Sequence, residues 1–438
     1  MTKVAITTFG CKLNQAESAQ ISEILTRNNY LMTDFDSAAD VYVINTCTVT
    51  AKADARCRQA IRKARRLAPE AKIIVTGCYA EVAPHELEQI PGVDYIVGSD
   101  FKFKILDYLT TPEKNPTPVI HTCGYDGHPA FITENSGFFL ENTRAFLKIQ
   151  DGCNAFCSYC IVPYARGRSR SGAVLDLRKQ FKTLLAREFK EIVLTGAHIG
   201  MFGQDFNRKL SLKNLLEEFL EIDGNYRIRL SSLEPLEISP DLIDLIAGTN
   251  KICSHMHIPL QSGDNEILKK MNRHYSCEYF RDTVQMVAEK LPGCGLGTDV
   301  IVGFPGEMEP NFENTFQLIN ELPFTYLHVF AYSIRKGTPA ARFKPQIAKP
   351  VQMERSKRLR QLGDLKRKQF YNFHINKKIP VLFEEELEPG WLTGLGPDYV
   401  RIKAKADNSV INQIVPVEIV EAEREMLIGV IEKHTESD

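Results

Sequence analysis

The sequence predicts an α/β protein built from three units in series. The first hundred residues alternate short apolar strands with helical patterns, as in "KVAITTF", "VYVIN", "KIIVT" and "DYIVG", which is typical of a parallel sheet covered by helices. A second β/α alternation begins at Arg144, and short strand patterns separated by turns occupy 374–438. With 438 residues, the chain is long enough to form more than one hydrophobic core.

Six candidate strands in the second unit define its architecture. They alternate with helical patterns such as "SLKNLLEEFLEI" and "YFRDTVQMVAEKL". Six β/α units are too few to close an eight-stranded barrel but are enough for a partial one, whose active face would lie at the carboxyl ends of the strands. The predicted strands are "RAFLKIQ", "EIVLTG", "RIRLSS", "HMHIPLQ", "GLGTDVIVGF" and "YLHVFAYS".

These patterns divide the chain into three domains and a linker. An N-terminal parallel-sheet α/β domain is expected over 1–112, and a linker containing "TTPEKNPTP" over 113–143. The central partial (β/α)6 barrel is expected over 144–373, ending with a basic helix, and a small all-β barrel over 374–438.

The composition is that of an ordinary globular protein, with 43% hydrophobic residues, 25% charged residues and a net charge of -1. No apolar run is long enough to cross a bilayer and the first residues form a strand pattern, so we expect a cytoplasmic protein without a membrane partner. Eleven cysteines in that reducing compartment favour metal or redox chemistry over disulfides. Any contact with RNA must come from local basic patches.

Three cysteines follow strands of the first unit. Cys11, Cys47 and Cys78 occur in "TTFGCKLN", "VINTCTVT" and "IVTGCYAE", each just past a predicted strand. Loops at the carboxyl ends of neighbouring parallel strands converge on one crevice, so we expect these thiols to meet.

A second set of three cysteines, Cys153, Cys157 and Cys160, lies in "DGCNAFCSYC" directly after the first strand of the partial barrel. A structural zinc site takes four protein ligands, and no fourth is close in sequence. Three thiolates suit a 4Fe-4S cluster that keeps one iron open for a substrate or cofactor. A zinc site or a purely structural cysteine cluster is the alternative.

The motif Cys153-x3-Cys157-x2-Cys160, with the aromatic Tyr159 before the third cysteine, resembles that of the radical S-adenosylmethionine (SAM) superfamily. The resemblance implies that the open iron chelates the amino and carboxylate groups of SAM. It also implies that an electron from the cluster cleaves SAM to a 5′-deoxyadenosyl radical.

With the second cysteine set and the terminal β module, nearly the whole chain resembles the methylthiotransferases of that superfamily. The resemblance implies an auxiliary 4Fe-4S cluster on Cys11, Cys47 and Cys78 that carries the sulfur to be inserted. It implies that one SAM donates a methyl group and a second supplies the radical. The remaining cysteines are expected to act as small buried residues: Cys57, Cys123, Cys253, Cys277 and Cys294.

Polar and small residues at the ends of the barrel strands are candidate SAM contacts, because carboxylates accept hydrogen bonds and glycines allow close approach of the backbone. His255 and His257 share one face of a strand, and a structural or SAM-proximal role is favoured over metal binding. The predicted cofactor-binding set is Tyr159, Thr195, Gly196, Ser232, Glu234, Gln261 and Asp299.

Basic segments are candidate RNA contacts. Arg166, Arg168 and Arg170 in "PYARGRSRS" follow the cluster loop, where guanidinium groups could hold phosphates. The run "RCRQAIRKARR" either contacts RNA or forms a solvated helix face. The C-terminal module resembles the TRAM domain, which implies a grip on tRNA.

"GCKLN" and "NTCTVT" resemble the methylthiotransferase branch that acts on N6-threonylcarbamoyladenosine beside the tRNA anticodon. The expected partners are the anticodon stem-loop of tRNA, an external electron donor and a sulfur source, and a monomer is expected. Isopentenyladenosine in tRNA or a ribosomal protein aspartate are alternative substrates. A non-catalytic iron-sulfur RNA-binding protein is the alternative of another class.

Overall fold

The computed structural model describes residues 1–110, 117–124, 127, 131 and 143–431. Its first unit is a six-stranded sheet of order β2-β1-β3-β4-β5-β6, in which every neighbouring pair is parallel. The strands are β1 (Lys3–Thr8), β2 (Leu31–Thr33), β3 (Val41–Thr46), β4 (Lys72–Gly77), β5 (Tyr95–Val97) and β6 (Val119–His121). The helices are α1 (Lys12–Arg27), α2 (Ala51–Leu67), α3 (Cys78–Val82), α4 (Pro84–Glu88) and α5 (Ile105–Leu109).

Helix α2 shows why these segments adopt this fold. Its buried residues Cys57, Ala60, Ile61 and Ala64 recur at helical spacing and pack in the core on one face of the sheet. The side chain of Thr50 caps the helix by accepting a hydrogen bond from the Ala53 amide at 3.2 Å. The helix is thereby fixed directly behind the end of β3.

The sheet has two features that the sequence did not predict. Strand β2 is an extra edge strand, so the three cysteines follow β1, β3 and β4, which are adjacent in the sheet. Strand β6 lies within the segment expected to be a linker, so the N-terminal sheet continues beyond residue 112. Most of the expected linker lies outside the described residues, as do 432–438 at the end of the C-terminal unit.

The second unit is the predicted six-stranded partial barrel. Two parallel three-stranded sheets, β7-β10-β11 and β12-β13-β14, are joined by a parallel bridge between Ile228 and Ile252. The strands are β7 (Arg144–Lys148), β10 (Glu191–Thr195), β11 (Arg227–Leu230), β12 (His255–His257), β13 (Gly295–Val302) and β14 (Tyr326–Ala331), with the short pair β8 (Gln150–Asp151) and β9 (Arg170–Ser171) flanking the cluster loop. The helices are α6 (Val162–Arg166), α7 (Val174–Ala186), α8 (Leu212–Leu220), α9 (Pro240–Ala247), α10 (Asn265–Lys270), α11 (Cys277–Lys290) and α12 (Glu309–Glu321).

The two faces of the barrel strands differ in polarity. Apolar residues such as Ile228, Met256 and Val300 pack against the outer helices in the main core. The alternate residues of β11 to β14 contact one another on the inner face and are charged or polar aromatic: Arg229, His255, His257, Asp299, Tyr326 and His328. The lumen is therefore a polar chamber rather than a packed apolar core.

The chain ends in helix α13 (Lys349–His374) and a closed five-stranded barrel of order β15-β16-β17-β19-β18. Its strands are β15 (Lys378–Glu388), β16 (Trp391–Leu395), β17 (Arg401–Lys405), β18 (Ile414–Ala422) and β19 (Leu427–Ile431). Within the described ranges, no helix is both long and apolar enough to span a membrane.

The loop after β16 closes the lower end of the partial barrel. Glu191, fully buried, binds Arg227 and Arg229, which donate to the carbonyls of Leu395 (2.7 Å) and Gly396 (2.9 Å) respectively. Tyr399 from the same loop stacks on His255, with ring centroids 4.6 Å apart. The small barrel is thus attached to the base of the lumen by buried ionic and hydrogen-bonding contacts.

Candidate active site

The loop that carries Cys153, Cys157 and Cys160 connects β8 to α6 and is held by hydrogen bonds at its base. The side chain of Gln150 donates to the carbonyl oxygens of Asp151 (2.9 Å) and Gly152 (2.7 Å) and accepts from the His198 amide (2.8 Å). Gly152 has a φ of +71°, and a Cβ there would lie 1.9 Å from the Arg168 carbonyl oxygen. Only glycine allows the loop to begin in this position.

Two cationic side chains face the sulfur atoms of this loop. The Nη1 of Arg273 lies 3.4 Å from Cys157 Sγ, and Nδ1 of His198 lies 3.4 Å from Cys153 Sγ. Burial raises the pKa of Cys157, although Arg273 opposes that shift. Donors of this kind stabilise negative charge on cluster-bound sulfur and tune its reduction potential.

Neither Arg273 nor His198 was predicted from the sequence. Arg273 is bound by Glu234, and His198 by Glu237. Although burial lowers the pKa of His198, its contacts with Cys153 and Glu237 raise that pKa to about 11, so the ring is cationic at neutral pH. Both residues lie far from the cysteine motif in sequence, and no local pattern marks them.

The structure also brings Cys11, Cys47 and Cys78 together at the carboxyl edge of the N-terminal sheet. Gly10 has a φ of +107°, and a Cβ there would lie 2.6 Å from Cys47 Cβ. Burial raises the pKa of Cys47 to about 12, and the neighbouring thiols of Cys78 and Cys11 add to that shift. The amide of Asn14 donates to the carbonyls of Phe9 (2.7 Å) and Thr46 (3.0 Å), which joins the loops before Cys11 and Cys47.

The spacing of the sulfur atoms bears on the zinc alternative. Three sulfurs about 2.3 Å from one zinc ion lie less than 4.8 Å apart. Among the described residues, only His257, Asp299 and His328 form a group of potential metal donors that close together. In neither cysteine triad do all three sulfur atoms lie within 4.8 Å of one another, as three ligands of one zinc ion would. In a four-iron cluster each cysteine binds a different iron, so the sulfur atoms lie further apart. The three-thiol sets fit a cluster of several irons better than zinc.

One buried carboxylate links the two cysteine loops. Glu17, in α1 just after Cys11, accepts hydrogen bonds from Arg166 at 2.9 and 3.0 Å, from Lys102 at 2.5 Å and from Lys148 at 3.0 Å. Burial opposes ionisation of Glu17, but these cations hold its pKa well below the usual range. Arg166 ends the helix that follows Cys160, so the contact fixes one cluster loop relative to the other. We call Glu17 and its three cations the Glu17 cluster.

The prediction that Arg166 contacts RNA is wrong. Its side chain is only 2% exposed, because it is enclosed by Glu17, Asn14 and Asp151. Arg170 is also engaged, at 3.1 Å from Asp100 and 3.4 Å from Asp151, with 12% of its side chain exposed. Arg168 is exposed, and its role in RNA binding remains a prediction.

A second contact joins the N-terminal domain to the upper end of the barrel. Arg335 donates to Asp54 at 2.6 Å and to the Thr48 carbonyl at 3.1 Å, and the Ala51 amide donates to Ser333. Beside this contact lies a cavity of about 200 Å³. Its walls include three of the predicted cofactor-binding residues together with a cluster cysteine and a residue after Cys47: Tyr159, Gln261, Asp299, Cys160 and Thr50.

The other predicted cofactor contacts have protein partners. Ser232 Oγ lies 2.7 Å from His257 Nδ1, and Glu234 is bound by Arg273. Thr195 is buried, and a Cβ at Gly196 would lie 2.8 Å from the Gln150 carbonyl oxygen, so packing within the protein already explains that glycine. Their contact with SAM remains a prediction.

Asp299 connects the cavity to the polar lumen. Its Oδ1 lies 3.2 Å from His257 Nε2 and 3.1 Å from His328 Nδ1. Burial opposes ionisation of Asp299, but the two imidazoles hold its pKa below the usual range. The carboxylate is therefore charged and can accept hydrogen bonds from ligand hydroxyl or amino groups.

Comparisons with known proteins match the N-terminal domain and the partial barrel to two separate families. The profile of the uncharacterized protein family UPF0004 matches residues 3–98, and that of the radical SAM superfamily matches 147–319. A Bacillus subtilis (strain 168) protein named threonylcarbamoyladenosine tRNA methylthiotransferase MtaB is 40% identical over 426 residues, which cover 96% of this chain and 94% of that protein.

A Clostridium botulinum (strain Okra) protein named tRNA-2-methylthio-N(6)-dimethylallyladenosine synthase is 35% identical over 434 residues, covering 97% of this chain and 96% of its own. Among solved structures, the radical SAM methyltransferase TsrM of Kitasatospora setae matches with a TM-score of 0.57, covering 78% of this chain and 77% of that chain. At 16% identity, that likeness concerns the fold alone.

The Glu17 cluster predicts a stability defect. Glu17→Gln leaves buried cations without their shared carboxylate, which should cost about 3–5 kcal/mol of unfolding free energy at neutral pH. Because the pKa of Glu17 is depressed in the folded protein, this contribution is present above the ordinary value of 4.5 and is lost as the pH falls below it. Urea unfolding of the metal-free protein across pH 4 to 8 measures the difference.

Glu217→Gln is the matched control, because its partner Lys213 lies on a solvent-exposed face of the same helix. Solvent screens that surface pair, so Glu217→Gln should lower the unfolding free energy far less than Glu17→Gln does. Equal losses in the two variants would contradict the central role of Glu17.

Proposed function

This chain belongs to the radical SAM tRNA methylthiotransferases, and we propose that it converts N6-threonylcarbamoyladenosine beside the tRNA anticodon into its 2-methylthio derivative. The observation that carries this proposal is the arrangement of two three-cysteine sites in two domains, which are joined by the Glu17 cluster and by the contact of Arg335 with Asp54. Two such sites in one chain suit a reaction that needs both a radical source and a sulfur carrier.

The residues present fit two iron-sulfur clusters and SAM. Cys153, Cys157 and Cys160 would hold one 4Fe-4S cluster, and Cys11, Cys47 and Cys78 the other. When bound, these cofactors supply the radical, the methyl group and the sulfur. The protein contributes the hydrogen bonds from Arg273 and His198 toward sulfur and the carboxylate of Asp299 in the adjoining cavity.

The lumen favours the threonylcarbamoyl substrate over the isopentenyl one. An isopentenyl group is apolar and would be expected in an apolar pocket, whereas a threonylcarbamoyl group carries a carboxylate, a hydroxyl and amide groups. The inner face of this barrel presents Arg229, His255, His257 and His328. The relatives with the higher identities, 40% and 39%, are also named for threonylcarbamoyladenosine.

Two exposed basic surfaces are proposed to contact the anticodon stem-loop. Arg62 and Arg66 lie one turn apart on the exposed face of α2, the helix that begins just after Cys47. On the small barrel, the exposed Lys405 and the half-buried Lys403, which pairs with Glu423 at 3.0 Å, both lie 5.4 Å from the ring of Trp391, a combination suited to a stacked base and a nearby phosphate. The resemblance of this barrel to a TRAM domain supports the second surface.

We further propose that the enzyme acts as a monomer in the cytoplasm, with an external electron donor and an external sulfur source. Both cysteine triads and the cavity between them come from one chain, so no second copy is needed to complete them.

The substrate is tested by the modified nucleosides of cellular tRNA. A deletion strain should lose 2-methylthio-N6-threonylcarbamoyladenosine and accumulate its unthiolated precursor, measured by mass spectrometry of nucleoside digests. The wild-type gene should restore the product and a Cys47→Ala gene should not. A strain that instead loses the isopentenyladenosine derivative, or whose tRNA nucleosides are unchanged, would refute the assignment.

The two cysteine triads should serve different steps of the reaction. Cys157→Ala should abolish reductive cleavage of SAM, whereas Cys47→Ala should retain it and form no methylthio product. Cys277→Ala is the control, because that thiol belongs to neither triad and is buried in the main core at the start of α11. Chromatography of 5′-deoxyadenosine and of the RNA product measures both steps. Normal product from the Cys157 or Cys47 variant would show that the division of roles is wrong.

The α2 surface predicts an electrostatic effect on RNA binding. Replacing Arg62 and Arg66 by Gln should weaken tRNA binding and reduce the slope of log affinity against log salt by about 1 to 2. Fluorescence anisotropy at several salt concentrations measures this slope. A control that replaces Lys179 and Lys182, exposed on α7, should leave it unchanged, and equal slopes for all three proteins would exclude the α2 surface.

A further inference from the structure

We propose that Lys12 binds the carboxylate of the threonylcarbamoyl group and thereby selects the substrate. This inference rests on the proposed function. Lys12 directly follows Cys11 and is not among the cofactor or RNA contacts predicted from the sequence.

The chemistry of adenine fixes where such a residue must lie. C2, which receives the sulfur, and C6, which bears the N6 substituent, are both bonded to N1. The threonylcarbamoyl group therefore lies along the same edge of the base as the reacting carbon. A side chain that recognises this group must lie near the cysteines expected to hold the sulfur carrier: Cys11, Cys47 and Cys78.

Lys12 satisfies that requirement. It is the first residue of α1, and Cys11 is the N-cap of that helix. Its ammonium nitrogen lies 5.4 Å from the centre of the Tyr399 ring, at the base of the lumen beside Arg229 and Glu191. Lys12 thus reaches from the N-terminal cysteine site into the polar chamber of the barrel.

The ammonium group of Lys12 has no anionic partner among the described residues. Its side chain is partly buried, yet no carboxylate lies within 4.0 Å of the nitrogen in the part of the chain that the structure covers. The first turn of α1 contains no acidic residue, although a helix N-terminus is where anions are favoured and cations disfavoured. An anion from a ligand would offset both unfavourable features.

Neighbouring cations are already paired within the protein. Arg166 and Lys102, which act on the Cys78 thiol, are both bound by Glu17. Arg229, which lies beside Lys12, is bound by Glu191 and by backbone carbonyls. Among these groups, Lys12 is the cation available to a substrate carboxylate.

The test compares binding of two anticodon stem-loop RNAs that differ only in one group. One carries N6-threonylcarbamoyladenosine and the other carries its carboxylate methyl ester, which has nearly the same shape but no charge. The cluster-loaded wild-type enzyme should bind the acid about 10- to 100-fold more tightly than the ester, as expected for a hydrogen bond between charged groups. Fluorescence anisotropy under anaerobic conditions measures both affinities.

Lys12→Met should bind the two RNAs with equal affinity, and Lys12→Arg should keep part of the preference for the acid. Lys179→Met, a loss of positive charge on exposed α7, should keep the full preference. The iron content of each variant must equal that of the wild type, so that a loss of preference cannot arise from a lost cluster. A wild-type preference that survives in Lys12→Met would overturn the proposal.

The same RNAs distinguish failure of this inference from failure of the proposed function. If the wild-type enzyme does not methylthiolate the acid form, the substrate assignment fails whatever Lys12 does. If the wild-type enzyme modifies the acid form but binds acid and ester equally, the substrate assignment stands and the role of Lys12 is refuted.

Discussion

The two halves of the candidate active site depend on one buried carboxylate. Glu17 has no exposed surface and is shared by Lys102 from the N-terminal domain and by Lys148 and Arg166 from the barrel. Charges removed from water are costly unless they are well paired, so few arrangements of the two domains satisfy this group. Because α1 begins just after Cys11 and Arg166 ends the short helix that follows Cys160, the same pairing fixes the two cysteine loops relative to one another.

The partial barrel is stabilised by the packing of its strands against the outer helices and not by an apolar core in its lumen. Its apolar core lies between the strands and the outer helices, so the inner face is free to carry charged and aromatic groups. Contacts with the other two domains complete the chamber. The N-terminal domain adds Arg335–Asp54 and the Glu17 cluster, and the small barrel adds the loop that places Tyr399 against His255. All three domains therefore contribute to the environment in which a substrate would bind.

Much of this arrangement follows from the sequence. Strand patterns predicted all six barrel strands, and cysteines at strand ends predicted that Cys11, Cys47 and Cys78 would meet. The role of Arg166 was mispredicted because its partner is nearly 150 residues away, and local sequence cannot distinguish a buried arginine from an exposed one. A weak signal exists in α1, where Asn14 and Glu17 are buried on a helix whose other buried residues include Leu13, Ile21 and Leu25. Arg273 and His198 have no comparable local signal, since only the tertiary fold places them against sulfur.

The size of the cavity beside Cys160 has a consequence for the RNA. At about 200 Å³, it can admit part of one nucleoside but not a stacked strand. A base of the proposed RNA substrate would therefore have to leave its stacked neighbours to enter the cavity, at a cost of a few kcal/mol that is smallest in single-stranded regions. Adding a methylthio group enlarges the surface with which the base can stack on those neighbours. Restacking of the modified loop would then favour release of the product from the cavity.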